Sequence, residues 1–118
     1  MTDSKARRKQ LVEEYRQSGP AAGVYRFVNT RAGKALLGST LNLGSMRGKL
    51  DFARATQSPS ALDRRLHADA RQYGMDSIEL EVLEVLEPQA DQTPAQVRAD
   101  LESLEALWRE RFQPSELY

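Results

Sequence analysis

Residues 21–43 read AAGVYRFVNTRAGKALLGSTLNL, and the turn in the middle of this stretch constrains the fold more than any other feature. Val24, Tyr25, Phe27 and Val28 predict a strand over about 22–29. Tyr25 and Phe27 share one face of that strand, and Val24 and Val28 share the other. Asn29-Thr30-Arg31-Ala32-Gly33 supplies turn chemistry, and KALLGS (34–39) is the returning strand. A third strand is expected at SIELEVLEVL (77–86), where Ile78, Leu80 and Val82 alternate with Glu79 and Glu81. That alternation predicts a sheet with one wet face.

Helical patterns fill the rest of the chain. Leu11, Val12 and Tyr15 predict an N-terminal helix over 3–17, which SGPAAG (18–23) ends. In LGSMRGKLDFARA, Leu43, Met46, Leu50 and Phe52 make one apolar side, against two glycines that cost about 1 kcal/mol each. QSPS (57–60) starts another helix over about 60–73, anchored by Leu62, Leu66 and Tyr73 and stopped at Gly74. Thr93-Pro94 opens the last helix, which runs to about 111 on Val97, Leu101, Leu104, Trp108 and Phe112. The fold class is therefore α+β: a small three-stranded antiparallel sheet flanked by helices. One domain is expected over 21–118, with a helical extension at 1–20.

Composition removes whole classes of function. The chain has 118 residues and no cysteine, so disulfides and thiolate metal sites are excluded. No apolar run approaches the roughly 18 residues that span a bilayer, and no membrane association is expected. MTDSKARRKQLVEEYRQ mixes charges where a secretory signal carries an apolar run, so a cytoplasmic location is expected. The net charge of zero is uneven along the chain. Residues 1–75 hold 14 Lys/Arg against 6 Asp/Glu, or +8, and residues 76–118 hold 3 against 11, or −8. Such polarisation could give one basic face suited to phosphates, or the halves could interleave and cancel as surface ion pairs.

Glu105 is the most informative acid. At about 100° per residue it falls roughly 40° from Leu101 and 60° from Trp108, so it borders the apolar stripe. Asp100, Glu102 and Glu110 point further away. A carboxylate at the rim of a core requires a partner, whether a buried arginine, a backbone donor or a divalent metal. A plain salt bridge is the commonest outcome. His67, the single histidine, stands among Arg64, Arg65, Asp69 and Arg71 and has no second histidine to join it in a metal site. Taken singly, Tyr25 is packing material and Trp108 a core anchor.

In order and spacing, however, these pieces resemble the GIY-YIG nuclease superfamily. Gly23-Val24-Tyr25 stands for the first name-giving tripeptide and Leu36-Leu37-Gly38 for the second. Ser39-Thr40-Leu41-Asn42-Leu43 follows, similar to the family's Gly-Ser-x-x-Asn/Asp-Leu run. YGMDSIELEVLE (73–84) is similar to its strand segment. Leu104-Glu105-Ala106-Leu107-Trp108, ending at Gln113-Pro114, is similar to its Glu-x-x-Trp helix. Three expected residues are replaced. Leu36 stands for the second tyrosine, and Met46 for the arginine, with Arg47 next door. Leu50 or Asp51 falls where the family has histidine or tyrosine.

The resemblance implies a metal-dependent endonuclease acting on DNA. Glu105 would ligate Mg²⁺ or Mn²⁺, Tyr25 would position or deprotonate the attacking water, and Arg47 would clamp the scissile phosphate. Lys34, Arg54, Arg64, Arg65 and Arg71 would contact the DNA backbone elsewhere. Leu36 and Met46 favour instead a catalytically impaired domain of the same fold that binds nucleic acid or a protein partner, whereas Tyr25 and the Glu105–Trp108 motif favour the enzyme.

Overall fold

The structure, a computed structural model, describes residues 21–118, so the helix expected over 3–17 lies outside the described residues. Strands β1 (Ala22–Asn29), β2 (Lys34–Thr40) and β3 (Ile78–Leu86) form one antiparallel sheet in the order β2-β1-β3. Tyr25 pairs with Gly38 across the hairpin, and Asn29 pairs with Lys34 at its mouth. Asn29 is fully buried and organises the turn. Its Oδ1 accepts from the Arg31 and Ala32 N–H groups at 3.1 and 2.9 Å, while its Nδ2 donates to Ser77 Oγ at 3.1 Å. Gly33 completes the turn at φ 70°, where a side chain would be strained.

Pairing of β1 with β3 shifts register between Val24 and Tyr25, which face Glu84 and Val82 respectively, leaving Leu83 as the extra residue. This bulge changes which side chains β3 buries. Val82 packs with Leu43 on one face of the sheet, and Leu83 packs with Val24 and Leu37 on the other. The wet face expected for β3 is therefore wet only at its start. Glu79 is exposed, but Leu83 is buried beneath the last helix.

Helix α1 (Leu43–Thr56) covers the first face. Asn42 caps it by accepting from the Ser45 N–H at 3.2 Å, and Leu43, Leu50 and Ala53 are buried. Phe52, expected on the apolar side, is 57% exposed because the buried stripe runs through Leu50 and Ala53 instead. The same face holds Phe27, Leu36, Leu62, Leu66, Met75 and Ile78 in one cluster.

The helix expected over 60–73 is broken into pieces. A 3₁₀ turn at Pro59–Ala61 is followed by a second at Arg64–Leu66 and only then by α2 (His67–Tyr73). Leu62 and Asp63 between them have extended backbone, with ψ of 164° and 141°. Asp63 holds that break by accepting from the Arg65 N–H at 2.9 Å, a local bond that competes with helix.

Helix α3 (Pro94–Arg109) covers the second face. Thr93 and Gln96 form a capping box: each side chain accepts from the other's backbone N–H, at 3.2 and 2.8 Å. Val97 and Leu101 pack on Ala22, while Leu104 and Trp108 pack on Val24, Leu37 and Leu83. Among the described residues, no helix is long and apolar enough to cross a membrane.

Candidate functional site

Where β2 forms one edge of the sheet, the first face opens into a cavity of about 510 Å³. Its sheet side is Tyr25, Phe27, Leu36, Leu37 and Gly38, and α1 contributes Met46 and Lys49. The broken segment after α1 supplies Ala61, Leu62, Asp63 and Arg65, and Ser39 and Glu105 complete the lining. A second cavity of about 590 Å³ adjoins it and shares Ser39 and Glu105. Thr40, Leu41, Asn42, Ser45, Arg98, Leu101 and Glu102 line the remainder. Glu105 thus stands on a ridge between two hollows along the β2 edge.

Tyr25 projects over its cross-strand partner. A Cβ placed on Gly38 would lie 2.6 Å from the Tyr25 Oη and 2.7 Å from its Cζ, so the phenol occupies the space a side chain would need. Phe27 supports the ring edge-to-face at a centroid separation of 5.5 Å. Burial pushes the Tyr25 phenol above its ordinary value, and the negative charges of Glu105 and Asp63 push it further, against an opposing pull from Arg65. At neutral pH the phenol is therefore protonated, with its O–H available to donate.

Glu105 is held by two neighbours. Its Oε1 accepts from Ser39 Oγ at 2.8 Å, and its Oε2 accepts from Arg109 Nη2 at 3.0 Å. The Arg109 pair is an i,i+4 helix contact with Arg109 half-exposed, worth about 0.3–0.5 kcal/mol and weakened by salt. These two bonds fix the carboxylate without burying it, and its side chain remains 26% exposed.

Arg65 is the cavity's guanidinium. Its Nε and Nη2 donate to Oδ1 and Oδ2 of Asp63 at 3.0 and 3.1 Å, a two-toothed grip on one carboxylate. That grip, together with the Arg65 N–H, holds the Asp63 carboxyl down at about 2. The fields of Tyr25 and Glu105 also favour the charged form of Arg65.

The remaining sequence candidates are scattered. Arg47 is not among the cavity's lining residues. In an unbroken helix it lies about 100° round from Met46 and only about 20° from Arg54. The Arg54 guanidinium donates from Nη2 to the Ile78 carbonyl of β3, which commits it to the fold. The Arg47 Nε is buried without a hydrogen-bond partner among the described residues. Lys34 lies over the Tyr118 ring, 5.9 Å from its centroid. Arg64 and Arg71 are exposed outside the cavity, and Nε2 of His67 donates to the Leu62 carbonyl at 2.9 Å.

Three polar contributors escaped the sequence candidates: Ser39, Lys49 and Asp63. Lys49 was legible in principle, since it follows Met46 by one helical turn. Ser39 follows Gly38 in the strand whose partner is Tyr25, but its bond to Glu105 spans 66 residues and has no local signature.

Glu105 and Ser39 place hard oxygen atoms beside an open cavity, the donor type that Mg²⁺ and Mn²⁺ favour. Among the described residues, no group of three or more His, Asp or Glu side chains is placed to enclose a metal. Compared with family models, curated proteins and solved structures, the chain matches none.

Proposed function

We propose that this domain is a divergent metal-dependent endonuclease of the GIY-YIG kind that hydrolyses phosphodiester bonds in DNA, working in the cytoplasm. The observation that carries the proposal is the meeting of a phenol, a carboxylate and two cationic groups in one cavity: Tyr25, Glu105, Arg65 and Lys49. The adjoining hollow beyond Glu105 gives a strand room on both sides of that carboxylate. An anionic backbone is drawn to the Arg65 and Lys49 side of this groove.

In the reaction, the oxygen of one water adds to phosphorus as the water loses a proton to solvent, the P–O bond to the leaving alkoxide breaks, and the alkoxide takes a proton from solvent, giving a phosphate monoester and a hydroxyl. Glu105 is the residue that would hold Mg²⁺ or Mn²⁺, which supplies stabilisation of developing negative charge when bound. Tyr25, kept protonated, donates a hydrogen bond that orients the attacking water or a phosphate oxygen. Ser39 and Arg109 hold the Glu105 carboxylate in one orientation, so little order is lost on substrate binding.

A non-cleaving nucleic-acid-binding module is the second reading, favoured by a specific pair of residues. Leu36 and Met46 line the cavity with apolar side chains where a phenol and a guanidinium would serve hydrolysis. Losing one preorganised donor costs a rate of about 10²–10³. Incubation with single- and double-stranded DNA and Mg²⁺ or Mn²⁺ separates the two. Cleavage that disappears in Glu105→Ala and with EDTA is the expected result. Salt-sensitive DNA retention with no cleavage above the Glu105→Ala background would leave the binding module standing in its place.

A further inference from the structure

The geometry points to Arg65, held in place by Asp63, as the residue that grips the substrate phosphate, in a position reached from the broken segment after α1 and not from α1 itself. This rests on the proposed action on DNA. Met46 occupies the stretch of α1 that faces the cavity, and its thioether offers a phosphate nothing beyond packing. Arg47 does not line the cavity, since α1 runs without interruption from Leu43 to Thr56 and keeps position 47 about 100° round from Met46.

Arg65 reaches the cavity because Asp63 breaks the helix before it. The break turns two exposed arginine positions into one that lines the cavity and one, Arg64, that does not. Asp63 then uses only Nε and Nη2 of the fork, leaving the remaining N–H donors of Arg65 for a second anion. Arg65 is 60% exposed, so binding a phosphate requires no opening of the core. Arg65 lines the same cavity as Tyr25 and Glu105, the two other groups of the site.

The test measures equilibrium binding of a labelled DNA oligonucleotide in EDTA across a range of salt, using the full chain and the variants Arg65→Ala, Arg65→Lys, Arg64→Ala and Arg47→Ala. Circular dichroism checks that each variant is folded. Arg65→Ala is expected to weaken binding about tenfold and to reduce the slope of log affinity against log salt by about 1, as loss of one phosphate contact does. Arg65→Lys is expected to keep the slope, since the charge remains, while cleavage in Mg²⁺ falls because the fork is lost. Arg64→Ala and Arg47→Ala are expected to weaken binding less than Arg65→Ala does, because neither residue lines the cavity.

Unaltered binding and slope in Arg65→Ala would overturn the assignment to Arg65 and leave DNA binding intact. Equal losses in Arg64→Ala or Arg47→Ala would overturn it too, by making the attraction diffuse. Failure of the unaltered protein to bind DNA at low salt would overturn both this inference and the activity beneath it.

Discussion

The two faces of the sheet use the same strands to different ends. On the α3 face, Val24, Leu37 and Leu83 are covered by Leu104, Trp108, Phe112 and Leu117. Trp108 closes this layer with its Nε1 donating to Glu84 Oε1 at 2.8 Å. On the α1 face, Tyr25, Phe27 and Leu36 run from a core shared with Leu50, Leu66 and Ile78 out to the cavity at the β2 edge. Because side chains alternate along a strand, Tyr25 stands next to Val24 and Leu36 next to Leu37, both packed in the closed layer. The site is therefore built on a strand pinned from behind. A phenol and a carboxylate can then be held in place although the cavity itself is open.

The largest expected effect tests whether the open face is also the one that holds the domain together. Leu50 is fully buried beneath the cavity, and Leu50→Ala should lower the unfolding free energy by about 2–5 kcal/mol, measured in urea. Trp108→Phe on the closed face removes one hydrogen bond to a carboxylate from a half-buried ring. It should cost about 1 kcal/mol. A larger loss for Trp108→Phe than for Leu50→Ala would reverse the comparison and make α3 the principal support of the sheet.

A smaller change in stability with a larger change in function is expected at Gly38. A methyl group there would meet the far end of the Tyr25 ring, which can move without disturbing the backbone. Gly38→Ala should therefore displace the phenol, and DNA cleavage should fall on the order of 10²-fold, the scale of a misplacement near 1 Å. Its unfolding midpoint should shift less than that of Leu50→Ala. Unchanged cleavage would mean that the phenol's position over Gly38 is irrelevant to the chemistry.

What was legible in the sequence was what short-range rules decide. The hairpin follows from alternation around Asn29–Gly33, and the start of α3 follows from Thr93-Pro94 and Gln96. Glu105 at the border of its helix's apolar stripe followed from angle alone, and the structure puts it there, bonded to β2. The bulge at Leu83 was hidden because alternation continues through Val82 in the sequence, while the pairing with β1 slips one residue later. That Arg65 lines the cavity was hidden for a related reason. Leu62, Leu66 and Tyr73 are spaced well enough for a helix, and nothing in that spacing shows that the Asp63 carboxylate will accept the Arg65 N–H and break it. Arg47, next in sequence to the expected position, does not line the cavity, because an unbroken helix turns adjacent residues about 100° apart.

The smallest effect concerns protons and reads the electrostatic side of the same comparison. Tyr25 has its pKa raised chiefly by burial and then by Glu105 and Asp63, with Arg65 pulling the other way. A group whose folded pKa lies above its unfolded value stabilises the fold fully below about pH 10, and that contribution is lost as pH rises through the folded value. The phenolate absorbance lost in Tyr25→Phe should accordingly titrate above about 10, the value for free tyrosine. Tyr118, raised by burial and by its bond to Asp69 at 2.6 Å, is the comparison, beside Ala35 near one end of β2 while Glu105 bonds Ser39 near the other. The two are separated by the variants that touch only the cavity. Arg65→Ala should raise the Tyr25 titration further and Glu105→Gln should lower it, both leaving that of Tyr118 in place. A Tyr25 titration below 10 in the unaltered protein would mean that Arg65 outweighs burial and both carboxylates, and the phenol would then serve as a base in place of a donor.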